Sequence, residues 1–146
     1  MIDSLKQIFI RDLNILKKEI SSYDVEKKLW VIENEINNSA GNLCLHLIGN
    51  LNHFIGATLG NTGYNRKRDL EFSLKNVPVA EMVRQIDEII ITIETILSSL
   101  SNNDLKKKYP LGVFGDEMTT EFFLIHLSTH LSYHLGQINY HRRLIV

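Results

Sequence analysis

Six histidines occur in this chain, and all of them fall in two apolar segments. His126, His130, His134 and His141 lie in EFFLIHLSTHLSYHLGQINYHRRL, while His46 and His53 lie in NLCLHLIGNLNHFIGATL. The first three of the larger set are spaced i, i+4, i+8. A residue four along an α-helix is rotated by only ~40°, so these rings share a face one turn apart. His141 falls back on the same side. Two imidazoles at i and i+4 can grip one transition metal from a single helix. His46 and His53, seven apart, also share a face. Three neutral imidazoles around Zn²⁺ or a similar ion leave a fourth position for water or substrate, and bound water becomes far more acidic. One helix offers His126/His130 or His130/His134, the other His46 or His53, and spacing alone leaves both choices open. A lone histidine in such a segment reads as a core or surface side chain with a hydrogen-bond partner. Three at one-turn intervals facing another pair weigh toward a metal.

The elements that must position these rings are helical. Leu5, Ile8, Phe9, Asp12, Leu13 and Leu16 recur at helical spacing, predicting a first helix from about Ile2 to Ser22. Ser39 is a suitable N-cap for a second helix, which carries His46 and His53 and ends at Gly60. Pro78 suits the first position of a third helix through VAEMVRQIDEIIITIETILSSL. The fourth follows Gly115-Asp116 and runs from about Thr119 to Leu144. Residues 23–38 have room for a short helical turn around Trp30. Residues 60–77 and 101–117 are long polar connections, and long connections in compact domains are often functional or covering elements. Four amphipathic helices with long crossings predict an all-α four-helix bundle, as one domain over residues 1–146.

Composition bounds the function. The 146 residues are 44% hydrophobic and 23% charged, with 16 basic against 17 acidic side chains and a formal net charge of −1. Nothing in that balance points to a nucleic-acid or membrane-surface partner, and neither is expected. The single cysteine, Cys44, rules out an internal disulfide and reads as a buried core thiol. No apolar run is long enough to span a bilayer. MIDSLKQIF meets charge at Asp3 and Lys6, unlike a secretory signal, so a cytoplasmic location is expected.

The chain resembles the DinB-like superfamily of metal-binding four-helix bundles from Leu29 to Leu144. Three elements in order carry the resemblance. Asn38-Ser39-Ala40-Gly41-Asn42-Leu43 with Leu45-His46-Leu47-Ile48-Gly49-Asn50-Leu51 is similar to that superfamily's second helix. Arg68-Asp69-Leu70-Glu71-Phe72 resembles the RDxEF element of one subfamily. His126 to Ile138, with His130, Tyr133, His134, Gly136 and Gln137, resembles the last helix. The resemblance implies a divalent-metal site of His46, His130 and His134, with Zn²⁺ or Ni²⁺ as the ion. It makes His126 an outer or packing residue. His53, two turns and about 10 Å from His46, lies too far to share the ion. Leu135 stands where a basic residue often follows the last ligand, a change at the mouth of the site.

Neighbouring residues carry weaker expectations. Asp69 and Glu71 could orient a ligand imidazole, but anchoring the connection is the expected role. Gly136 is expected to permit close helix contact, with Gln137 in that contact rather than at the site, and Gly49-Asn50 to do likewise. Tyr133, rotated ~100° from its neighbour His134, is expected to pack elsewhere. Arg66, Lys67 and Arg68 read as a solvated run, or as a seat for the carboxylates of a thiol cofactor. The functional expectation is a metal-dependent enzyme acting on a small molecule or low-molecular-weight thiol, as an S-transferase or a hydrolase. The alternatives are a non-catalytic metal-binding stress-response protein and a metal-free interaction module. A homodimer is also expected, with Ile86, Ile89, Ile90, Ile93 and Ile96 available either to an interface or to the core.

Overall fold

The computed structural model describes residues 1–145. Its regular structure among them is helical, with one isolated backbone bridge between Lys108 and Thr119. Helix α1 spans Ile2–Ser21. A 3₁₀ turn at Glu26–Trp30 follows where a short helix was predicted. Helix α2 starts at Ala40, runs regularly to Leu51, passes through a π-helical stretch Asn52–Ala57 and closes at Thr58–Gly60. Helix α3 is Arg68–Ser73, α4 Val79–Ser99, α5 Asn102–Lys106 and α6 Thr120–Leu144. Four of these helices are long.

The expected ends are nearly those observed. Ser39 caps α2, its hydroxyl accepting from the Asn42 N–H at 3.2 Å. Thr119 caps α6 in the same way through the Phe122 N–H at 3.1 Å. Asn61 takes the left-handed conformation after Gly60 and stops α2. Pro78 departs from expectation by one place. Its ψ of 138° is extended, so it is the N-cap of α4 and not its first helical residue. Both polar connections hold short helices, α3 and α5, which sequence periodicity did not predict. Five or six residues are too few to display a helical period.

Helix α1 packs against α4 and α6, and α2 packs against α6 and α4. Leu5, Phe9, Leu13 and Leu16 of α1 meet Met82, Ile86, Ile89 and Ile93 of α4 in the core, together with Phe123, Leu127 and Leu131 of α6. Ile86, Ile89, Ile93 and Ile96 are buried in the core, and Ile90 is partly buried against it. Every residue of α2 from Ala40 to Leu51 is buried, including His46 and Asn50. A helix buried all round must satisfy its polar side chains internally. For Asn42 and His46 that requirement is met by α3, which packs on α2, while the Asn50 side-chain oxygen is left without a partner among the described residues.

Candidate metal centre

Three residues of α2, Asn42, His46 and Gly49, stand at i, i+4 and i+7 and so form one stripe. Helix α3 docks on it. The Asn42 amide donates to the backbone carbonyls of Glu71 and Leu74, each at 2.9 Å, and holds the C-terminal end of α3. Those are carbonyls the helix itself leaves unpaired. Glu71 is thereby aimed at His46, whose Nδ1 lies 3.1 Å from Glu71 Oε1. Gly49 makes the approach possible, since a Cβ there would stand 1.9 Å from Glu71 Oε2. Arg66 completes the array with two bonds to the carboxylate, Nε to Oε2 and Nη2 to Oε1, both 2.9 Å. Its guanidinium also lies over the Phe54 ring at 5.6 Å, so the π-helical stretch of α2 supplies its platform. Phe72 covers the His46 ring at 5.0 Å.

From α6, His130 and His134 turn toward His46. His46 Nε2 lies 3.3 Å from His130 Nε2, and His134 Nε2 lies 3.1 Å from the same atom. One ligand atom from each ring falls within 4.8 Å of the other two. His134 is oriented by Gln137, whose Oε1 stands 2.7 Å from His134 Nδ1. This is the i, i+3 geometry of a helix surface.

Proton bookkeeping shows what the arrangement can do. Glu71 is an acceptor, so His46 Nδ1 carries its proton and His46 Nε2 presents a lone pair. Gln137 Oε1 is likewise an acceptor, which leaves the lone pair of His134 on Nε2. Both lone pairs aim at His130 Nε2, and a single N–H there could satisfy only one of them. His130 Nδ1 is buried and has no partner. Three nitrogens facing one point are reconciled by a cation between them. Ligands of a tetrahedral ion with bonds of about 2.0–2.1 Å lie about 3.3–3.4 Å apart, close to the two separations from His130 Nε2, 3.3 and 3.1 Å. The three residues could therefore hold a metal ion.

The electrostatics agree. Burial, reinforced by the rings of His134, His46 and His126 and by Arg66, pushes His130 down to about 4. Burial, with His46, also lowers His134, against the opposing bond from Gln137. Both rings are thus held neutral, the form that binds a metal. Burial works against ionisation of Glu71, but the bonds from His46 and Arg66 outweigh it and hold the carboxyl below its usual range. Glu71 is therefore a carboxylate, and it orients the histidine behind it.

The remaining expectations divide. Orienting His46 is the role Glu71 takes, in place of loop anchoring. Arg66 is bound to Glu71 and is not solvated, while Arg68 lies over Phe72 at 5.2 Å. Gln137 serves the site, and Gly136 makes no close contact, since a Cβ on it would meet nothing within 4 Å. Tyr133 is exposed and touches the His134 ring edge-on at 5.3 Å, so it does not pack elsewhere. His126 packs between Phe114 and Phe123 and stacks on His130 at 6.2 Å. His53 leans on Phe54 and is outside the cluster. His141 departs from the shared face. Its Nδ1 accepts from the Tyr23 hydroxyl at 2.7 Å and its Nε2 donates to the Val31 carbonyl at 2.9 Å. Cys44 is fully buried, and burial pushes its thiol up to about 12. Asp69 is exposed at the start of α3. Among the described residues no helix is long and apolar enough to cross a membrane.

No curated protein matches this sequence. One family model matches residues 2–146, and the chain belongs to that family, described as "Protein of unknown function (DUF1572)".

Proposed function

We propose that this protein is a divalent-metal enzyme in which His46, His130 and His134 hold Zn²⁺ or Ni²⁺. The observation that carries the reading is the convergence of three imidazole nitrogens, two of them with their protons fixed on the far side by Glu71 and Gln137. When bound, such an ion acidifies a water or thiol that reaches it. The chain's own residues orient the site. Glu71 fixes the tautomer of His46, Arg66 keeps Glu71 ionised, and Gln137 sets the ring of His134. Among the described residues no carboxylate, thiol or fourth imidazole joins the cluster. That favours a position open to a small substrate over a closed structural site. The chemistry is thiol-dependent S-transfer or hydrolysis. The four long helices read as a DinB-like four-helix bundle, one domain over residues 1–146.

Elemental analysis of untagged protein tests this reading. One zinc or nickel per chain is expected, lost in His130→Ala, followed by turnover in a screen of low-molecular-weight thiols with electrophiles. Absence of any transition metal, with no rise in melting temperature on adding Zn²⁺ or Ni²⁺, would overturn it. The second reading is a non-catalytic metal-binding protein. It is favoured by the placement of the ligands on α2 and α6, which an ion would tie together. Stoichiometric metal and a raised melting temperature, with no turnover across the screen, would select it.

A further inference from the structure

A cleft of about 520 Å³ opens beside the candidate metal centre, and His134 belongs to both. That volume is within the range of small-molecule sites. One wall is a single stripe of α6, where His134, Gln137, His141 and Leu144 follow at helical spacing, with Tyr133 and Tyr140 at its edges. From His134 to Leu144 the stripe is about 15 Å long at 1.5 Å per residue. The opposite wall is Leu43, one turn before His46 on α2, and the segment from Glu35 to Asn38 that leads into α2.

Two features of this wall select a ligand. Its bulk is apolar or aromatic, from Ile36, Leu43, Leu144 and the two tyrosines, each of which is 65% exposed. Its polar groups are the uncharged amides of Asn37, Asn38 and Gln137, with Glu35 as the one carboxylate and no lysine or arginine among the lining residues. Arg143 lies on the Tyr140 ring at 5.7 Å but is not part of the lining. His141 is occupied on both nitrogens by Tyr23 and Val31 and offers no charge. Along this wall, away from the metal centre, a carboxylate or phosphate would lose hydration and meet no lysine or arginine of the lining.

We infer that this cleft is the substrate site of the metal centre and takes an elongated amphipathic molecule, neutral or cationic, with an apolar or aromatic body. The inference rests on the function proposed above. The ligand's reacting end lies at His134, and its body runs along α6 toward Tyr140 and Leu144. Tyr140 supplies a flat face for that body, and Glu35 favours an amine over an acid.

Three probes of one shape test this: phenethylamine, N-benzylacetamide and 3-phenylpropionate. Each is titrated into the full chain, metal-loaded and metal-free, and followed by NMR of the tyrosine and histidine rings. The amine and the amide are expected to shift Tyr133, Tyr140 and His134, with the acid at least about tenfold weaker in the metal-free protein, where only the lining acts on its charge. Tyr140→Ala should weaken the amine about threefold to tenfold, the scale of one aromatic contact. Glu35→Gln should narrow the gap between amine and acid, and neither exposed substitution should alter metal content. Equal binding of acid and amine by the metal-free protein would overturn the ligand class. Metal-loaded protein that binds no probe at 10 mM (~10 mM being ample for a weak fragment), or binds it unchanged in Tyr140→Ala, would overturn the cleft and leave the metal centre standing. Protein that binds the amine but never a metal would overturn the link between the two sites.

Discussion

Gly49→Ala offers a perturbation that touches no ligand and yet should damage the centre. A Cβ at this position would stand 1.9 Å from Glu71 Oε2 and 2.6 Å from its Cδ. Real contacts to a Cβ essentially never fall below 3.0 Å, so the carboxylate must retreat by about 1 Å or more. The obstacle is the end of a flexible side chain, and the backbone can stay in place. The cost falls on the bonds that the carboxylate makes. The His46 Nδ1 to Oε1 distance, 3.1 Å at present, would pass beyond hydrogen-bond range, and the paired 2.9 Å bonds from Arg66 would be strained or lost. His46 would then lose the acceptor that fixes its tautomer. Loss of such an outer partner commonly costs about 10–100-fold in metal affinity. Gly136→Ala is the matched control. It lies in α6 two residues past His134, and its added methyl meets nothing within 4 Å. There the usual helix gain of about 0.5–1 kcal/mol should appear in full. Competition between the protein and a chelating dye for Zn²⁺, with melts of the metal-free forms, separates the two effects. Gly49→Ala should bind Zn²⁺ about 10–100-fold more weakly, as should Glu71→Ala, while Gly136→Ala should bind as the parent does and melt higher. Parental affinity in Gly49→Ala would refute the reasoning that Glu71 orients His46.

The other expectations are simpler. Replacing His46, His130 or His134 singly by Ala should remove most bound metal in elemental analysis, because two ligands remain. His126→Ala should cost at most about tenfold, since His126 stacks on His130 and bonds to none of its nitrogens, and His53→Ala should leave the metal in place. Retention by His134→Ala with loss in His126→Ala would move the pair up one turn. Zn²⁺ at a hundred times its Kd should stabilise the fold by about 2.7 kcal/mol, which calorimetry would register as a rise of roughly 5–10 °C for a chain of this size. Removal by a chelator should reverse the rise. Native Cys44 should resist a thiol reagent until denaturant is added, because it is fully buried and its thiol is held up at about 12. Rapid native labelling would contradict that burial.

Why some of this was legible in the sequence, and some was not, follows from range. The cap at Ser39 is a local event between residues three apart, so residue type and spacing reveal it. The choice between His126/His130 and His130/His134 is different. Both pairs have the same spacing, and only the azimuth of α6 against α2 separates them. That angle is set by the packing of Leu127, Leu131 and Leu135 into the core, which no local rule contains. The resemblance supplied the missing angle, and the structure brings together the pair it implied.

Glu71 and Arg66 were harder still, because their partner lies at the far end of a crossover. His46 and Glu71 are 25 residues apart, and α3 is too short to show a period. One sequence signal did exist. In α2 the residues between Ala40 and Leu51 are apolar on nearly every side, which already marks a helix buried all round. Of its five interruptions, Gly41, Asn42, His46, Gly49 and Asn50, three fall at i, i+4 and i+7: Asn42, His46 and Gly49. A polar pair and a glycine on one stripe of such a helix must meet something that brings donors and acceptors and comes close. The expected carrier is a connection rich in charge, and residues 60–77 are the nearest one. Glu71 is the carboxylate of that connection that is buried, and Arg66 follows it to balance the charge. The unmatched polar stripe, more than the histidine spacing, is therefore the feature that places α3 over the site.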